Sequence, residues 1–400
     1  MRTELYGGPP EELTQEWEEL YRSDSSATPF VSPAWGQAWM RHWSRSAEPW
    51  LITVRDAERL VGLAPLALER YRGARVVRML GKEPGDYWDV LAVPERRDDV
   101  TRAVAAELSR LEDRWDVFFC APQPGASTTA ALFGQRSLRM QPRPSTPCPG
   151  IELPGTFDEY LALLPASRRG NIRRHIRKLD RGDVTLREVT EVSELDGAIG
   201  RWHALHMKRW ETLERSIEPT HLTRGFHDFL LDAMRALVPQ GRATVWEFSA
   251  NGEVAGVYVN LLDDDAFYWY LSGFDPRHSR LGIGKLSIAQ GIRWSIETGR
   301  RYFDLTRGQE SFKYYFGAVD RHCPSVVVGN DRLRSRSALA ATDLHNRLGR
   351  TVRSAQSRFG RRDADAPIDA ENKSNAGPGS SEREEAQTGE DRERISVAPR

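Results

Sequence analysis

Apolar and polar positions follow the same outline in two separate stretches of the chain. Residues 50–68 (WLITVRDAERLVGLAPLAL) and 244–262 (TVWEFSANGEVAGVYVNLL) each run apolar, turn polar and run apolar again. Each pair of runs predicts a β-hairpin. Asn251-Gly252 marks the second turn, because both residue types tolerate positive φ. With the two stretches aligned, Gly62 falls on Gly256 and Leu60 on Val254. After the first hairpin, Val100, Val104, Leu108 and Leu111 recur at i, i+4, i+8 and i+11, which predicts an amphipathic helix. WDVFFC at 115–120 then reads as a strand. After the second hairpin, Phe267-Tyr268-Trp269-Tyr270 predicts a strand with alternate rings in the core. A helix over 286–296 and a strand over 301–306 follow. Each half thus gives hairpin, further strand, helix, strand. That order suits an α/β or α+β layer with a helix crossing a mixed sheet. Two copies at so long a period argue for tandem domains rather than a solenoid.

The boundary between the copies falls at 141–156, where five prolines and two glycines break regular structure. This divides the chain into 1–150 and 151–330. Leu333, Leu339, Leu344 and Leu348 among arginines predict a peripheral helix over 331–360. From 361 to 400 apolar residues nearly vanish and both charge signs mix, which predicts a disordered tail. Composition then narrows the function. The chain has 57 Lys+Arg and 57 Asp+Glu, so a generic DNA or membrane-surface binder is not expected, and any such activity needs a local patch. Cys120, Cys148 and Cys323 have no CxxC spacing, so neither a zinc knuckle nor a disulfide framework is expected. The start of the chain lacks the apolar core of a secretory signal, and no apolar run is long enough to span a bilayer. The expectation is a soluble, cytoplasmic protein.

Three segments carry candidate chemistry. Arg280-Leu281-Gly282-Ile283-Gly284-Lys285 precedes the second predicted helix, where glycines and a helix N-terminus suit a phosphate. The alternative is a tight turn that needs glycine for geometry alone. The first half has Val93 to Asp99 at this place, with no glycine, so only the second half is expected to keep a chemical site. Residues 167–181 (SRRGNIRRHIRKLDR) hold seven basic residues and one acid. Ile172, Ile176 and Leu179 would seat this helix, leaving Arg173, Arg174, Arg177 and Lys178 to project outward or along the edge, toward an anionic ligand or as a solvated face. In 301–317 (RYFDLTRGQESFKYYFG), Asp304 interrupts an apolar strand, and Arg307, Glu310, Lys313, Tyr314 and Tyr315 follow. These could supply a base, a cation and a phenolic acid, or could form an aromatic-rich packing element. His203 and His206 read as ordinary polar helix positions, and no metal is expected.

Taken together, the basic SRRGNIRRHIRKL segment, the hairpin, YWYLSGFDPRHSRLGIGK and YFDLTRGQESFKYYFGA resemble the BioF2-like or CelD-like acetyltransferases of the GNAT superfamily, relatives of the FemAB transferases. The resemblance covers about residues 1–330 and is strongest over 165–320. It implies tandem GNAT-like domains, a degenerate one over 1–150 and a catalytic one over 151–330. It also implies transfer of an acyl group, acetyl above all, from acyl-CoA to an amine or hydroxyl of a small-molecule, saccharide or peptide acceptor, as in polysaccharide or envelope biosynthesis. Residues 280–285 would hold the CoA diphosphate, with Ser279 standing where the family's first Arg or Gln would be. Asp304, Arg307, Gly308, Glu310, Phe312, Lys313, Tyr314, Phe316 and Gly317 match the family's acceptor-end pattern, with Asp304 or Glu310 as base, Lys313 as cation and Tyr314 as acid. Two alternatives stay open: a FemAB-like transferase using aminoacyl-tRNA, and a non-catalytic binding module of an exopolysaccharide assembly.

Overall fold

Both predicted hairpins form in the computed structural model, which describes residues 1–71, 73–81, 84–120, 139–211, 223–329, 332, 335–337 and 340. The tail over 361–400, and nearly all of the helix expected over 331–360, lie outside the described residues. The first half runs β1 (Arg2–Tyr6), α1 (Glu11–Ser23), α2 (Pro33–Trp43), the hairpin β2 (Ala47–Asp56) and β3 (Arg59–Tyr71), β4 (Ala74–Met79), β5 (Leu91–Ala92), α3 (Arg97–Arg110) and β6 (Val117–Cys120). The second half begins with β7 (Arg139–Glu152), α4 (Phe157–Ala162), α5 (Ala166–Asp180), β8 (Thr185–Val189), α6 (Val192–Glu211) and α7 (Arg224–Leu237). The hairpin β9 (Ala243–Ala250) and β10 (Glu253–Leu262) follows, then β11 (Ala266–Phe274), α8 (Ile283–Glu297), β12 (Tyr302–Asp304), α9 (Ser311–Tyr315) and β13 (Val319–Gly329).

The repeat read from the sequence is present in three dimensions. In each half a helix, α3 or α8, crosses over to a parallel strand, joining β4 to β6 and β11 to β12. The aligned glycines have one job. A Cβ on Gly62 would strike Val100 of α3, and one on Gly256 would strike Ile283 of α8. Both strands also shift register at this point. Glycine thus lets the crossing helix approach the hairpin backbone in each copy. Asn251 and Gly252 both have positive φ, 52° and 79°, as their turn requires.

The proline-rich stretch behaves differently from the break expected of it. It forms β7, a long strand between β12 and β13. Proline removes a donor, but its fixed φ suits extended backbone and its carbonyl still accepts. Pro147 O and Pro149 O take the N–H groups of Gly308 (3.1 Å) and Leu305 (3.0 Å). Because β13 pairs with both β7 and β6, the strands join in one mixed sheet in the order β1-β2-β3-β4-β6-β13-β7-β12-β11-β10-β9-β8, with β5 beside β3. One hydrophobic cluster lies between α3 and the first hairpin, and a second lies between α4, α5, α8 and the second hairpin. A third, built from α1, α2, α6 and α7, spans both halves. Within it Phe30 meets Trp35, Tyr87, Tyr268 and Tyr270 edge-on at 5.2–6.0 Å. Burying a ring of this size contributes about 2–3 kcal/mol, and it seats the first-half residue Tyr87 against β11.

Candidate active site

β11 leads through a short 3-10 turn (Pro276–Leu281) into α8. Gly282 makes the corner with φ 65° and ψ 36°, a left-handed conformation that favours glycine. The His175 imidazole of α5 lies against its α-carbon, so no side chain fits there. The first intrahelical bond runs from Leu286 N–H to Gly282 O (2.9 Å). The first-turn amides that precede it lie at the positive end of the helix dipole. A Cβ on Gly284 would meet the Tyr258 hydroxyl oxygen at 3.9 Å, an ordinary contact distance, so no neighbouring side chain crowds this residue. Such a helix start is of the kind that suits an anion. Of the other residues expected here, Leu281 and Ile283 pack into the second-half core and Arg280 is exposed. The Lys285 ammonium lies 5.2 Å over the Tyr315 ring.

Helix α5 links this corner to α9. Arg168, Asn171, His175 and Lys178 fall on one stripe at i, i+3, i+7 and i+10. Lys178 Nζ donates to Leu281 O (2.7 Å) and Asn171 Nδ2 to the Tyr315 hydroxyl (3.1 Å). Arg168 Nη1 donates to Tyr314 O (3.1 Å), with its guanidinium over the Tyr315 ring. Ile172 and Ile176 are buried, as the apolar stripe predicts. The three arginines expected to meet phosphate are exposed. Arg173 pairs with Asp158 (3.2 Å), Arg174 donates to Asn171 Oδ1 (2.9 Å), and Arg177 stands in solvent. Of the basic residues on α5, Lys178 is brought against the glycine corner and Arg168 against α9. His175 is 6% exposed, and its Nδ1 has no hydrogen-bond partner. Burial, then Lys178, Lys285 and Arg174, push its pKa down to about 4, so it adds no charge near neutral pH.

The acceptor-end segment is held from both sides. Asp304 ends β12 with 1% exposure, and its Oδ1 accepts from the Tyr87 hydroxyl (2.7 Å) and from Thr306 N–H (2.7 Å). Burial pushes its pKa up to about 7, against the opposing effect of those two donors. Thr306 sits at φ 59°, a strained place for a β-branched residue. Lys313 is also buried. Its ammonium donates to the carbonyls of Arg307 (2.7 Å), Gly308 (3.3 Å) and Thr306 (3.4 Å) and meets Glu310 Oε2 at 2.9 Å. Glu310, by contrast, keeps more than half of its side chain in solvent. The Tyr314 hydroxyl donates to Asp320 Oδ1 (2.8 Å), and burial and that carboxylate raise its pKa.

Arg307 points into the first half. Its Nε donates to Asp86 Oδ1 (2.5 Å), its Nη2 to Gly85 O (3.1 Å), and its guanidinium lies over the Trp88 ring. The Tyr270 hydroxyl donates to Pro84 O. Of the residues gathered here, the sequence points to Lys178 and Tyr315, but not individually to Asp86, Tyr87, Trp88, Arg168, Asn171 or His175. The helical stripe at 168, 171, 175 and 178 was the one local signal for part of that set. The thiols of Cys148 and Cys323 also meet, 2.6 Å apart across β7 and β13, although they are remote in sequence. Among the described residues no cluster of His, Cys, Asp or Glu is suited to a metal ion, and His206 instead contacts Ser272 O (3.0 Å) and stacks on Trp202. No described helix is long and apolar enough to cross a membrane.

Residues 166–314, from the start of α5 to α9, match the family model described as Acetyltransferase (GNAT) domain. No curated protein sequence matches the chain. Among solved structures, that of FemX shares 8% identity at a TM-score of 0.61, covering 82% of this chain and 97% of its own. The C-terminal domain of a putative lysylphosphatidylglycerol synthetase from Agrobacterium fabrum shares 12% identity at 0.51, over 83% and 96%. A conserved protein of unknown function from Bacteroides thetaiotaomicron shares 9% at 0.53, over 82% and 99%. At these identities the likeness is one of fold.

Proposed function

We propose, from the premise that this chain carries a GNAT acetyltransferase domain over 166–314 within a GNAT-superfamily, FemAB-related fold, that it is a cytoplasmic acyltransferase moving an acetyl or other acyl group from acyl-CoA to an amine or hydroxyl. The acceptor is a small molecule, saccharide or peptide, in keeping with polysaccharide or envelope biosynthesis. The half over 151–330 binds the donor, and the half over 1–150 lacks the glycine corner. The observation that carries this reading is the N-terminus of α8, where the glycine corner at Gly282 precedes the first intrahelical bond and no neighbouring side chain crowds Gly284. A diphosphate needs backbone donors and close approach, which a glycine corner at a helix start provides. Lys285 and Arg280 add positive charge.

The acceptor end lies at the other end of the α5 stripe. Glu310 is the more accessible of the two candidate carboxylates, which supports it as the base that takes the acceptor's proton. The acceptor's lone pair attacks the thioester carbonyl, the C–S bond breaks, and the thiolate takes a proton from the Tyr314 hydroxyl. Asp320, hydrogen-bonded to that hydroxyl, orients it. Lys313, buried on three carbonyls, holds the turn that presents Arg307 and Glu310. A second reading, transfer from aminoacyl-tRNA, draws on the exposed guanidiniums of Arg173, Arg174 and Arg177.

A thermal-shift series separates the two readings. Acetyl-CoA should raise the melting temperature, whereas acetyl-pantetheine, which lacks the diphosphate, and bulk tRNA should leave it unchanged. A rise with tRNA that disappears at high salt, with none for acetyl-CoA, would replace the first reading by the second.

A further inference from the structure

We infer that the first half is a working part of this site: its segment from Pro84 to Val90 holds the Asp304–Arg307 turn in its reactive geometry, with Tyr87 and Asp86 as positioning residues. The inference rests on the acyltransferase reading above but assigns the site to both halves. Four contacts converge on one corner. Tyr87 donates its hydroxyl to Asp304, Asp86 takes Arg307 Nε, Gly85 O takes Arg307 Nη2, and Tyr270 of β11 donates to Pro84 O. Trp88 adds its ring face to Arg307. The turn they hold is one that relaxes when left alone. Thr306 is a β-branched residue at φ 59°, and such a conformation persists where its surroundings over-determine it. Asp304 Oδ1 is the pivot, since it accepts from the first-half phenol and from the strained residue's own N–H.

Hydrogen bonds of this kind favour the ionised carboxylate, so Tyr87 sets the pH at which Asp304 grips Thr306. The other groups around Asp304 are Arg321 of β13, Tyr268 of β11, Tyr302 of β12, Cys323 of β13, and Asp86 itself. Of these, Arg321 favours ionisation and Asp86 opposes it, while the ionised Asp304 raises the pKa of the two phenols and the thiol. None of them hydrogen-bonds Asp304 in place of Tyr87. Deleting the Tyr87 hydroxyl therefore leaves Asp304 buried with one donor fewer, and its titration moves to higher pH.

The test is Tyr87→Phe in the full chain, which keeps the ring and its packing on Phe30. The acid limb of kcat/KM should move up by about one pH unit, the equivalent of one hydrogen bond, while acetyl-CoA affinity stays at the wild-type value. Asp86→Asn should lower kcat about tenfold or more with donor KM unchanged. The Asp304 carboxyl, titrated by carbon-13 NMR in the absence of any substrate, should show the same upward shift in Tyr87→Phe. An unshifted carboxyl titration overturns the inference, whatever happens to turnover. A shifted titration in a protein that binds no acetyl-CoA supports the positioning role and sinks the acyltransferase reading instead. A merely structural Tyr87 would lower the melting temperature and leave both titrations where they are.

Discussion

Asp304 and Lys313 are buried charges of opposite sign that grip the same turn. The carboxylate takes an amide and a phenol, and the ammonium covers three carbonyls. Each has a consequence for stability. The folded pKa of Asp304, about 7, lies above that of an unfolded aspartate. Between about pH 4 and about pH 7 the native chain therefore holds a proton that the unfolded chain has released, and stability falls as pH rises through that window. Asp304→Asn should remove this slope from urea midpoints measured across the same range. A variant with the wild-type slope would contradict the assignment. His175 has the opposite sign. Its folded pKa, about 4, lies below the unfolded value, so stability is lost as pH falls below about 6.5. Comparing Asp304→Asn with wild type cancels that contribution. Lys313→Met keeps the stem and removes the donor. It should cost about 2–3 kcal/mol, the scale of a charged hydrogen-bond set, along with most turnover. A stable variant that has lost only turnover would return Lys313 to the cation role expected from the sequence.

At the scale of elements, the helix–strand crossovers were legible because each is local. Periodicity located α3, α5 and α8 to within a few residues, and Gly62 and Gly256 revealed their equivalence as a shared spacing. What periodicity does not carry is which face of a basic helix is occupied. In α5 the exposed Arg173, Arg174 and Arg177 and the engaged Arg168 and Lys178 are the same residue types, and only the position of α8 and α9 separates them. The site residues on the Pro84–Val90 segment left no sequence signal, because their partners lie 186 to 222 positions away. The stripe makes its own prediction. Lys178→Met, which removes the contact with Leu281 O at the start of α8, should weaken acetyl-CoA binding at least as much as Arg177→Met does. The comparison is made by calorimetry at one salt concentration, and a larger loss from Arg177→Met would place the anion on the exposed face instead.

Across the whole molecule, β7 and β13 convert two similar halves into one sheet. The prolines of β7 resemble a linker when they are read alone, since extended pairing is fixed by distant partners rather than by local propensity. β6 needs β13 from beyond residue 318, and β13 needs β7. Residues 1–355 should therefore unfold in one calorimetric transition, as a single compact unit would. Two separable transitions would show that the halves are independent. The most direct test of the donor site is isothermal titration of acetyl-CoA into wild type and Gly284→Glu. A glutamate in the first turn suits the helix dipole, and its Cβ would meet nothing closer than the Tyr258 hydroxyl at 3.9 Å, so the fold should be kept. Its carboxylate would stand where the diphosphate must lie. The account predicts binding to wild type and at least about a hundredfold loss in the variant, roughly 2.7 kcal/mol, at an unchanged melting temperature. Equal affinity in the two proteins would contradict it.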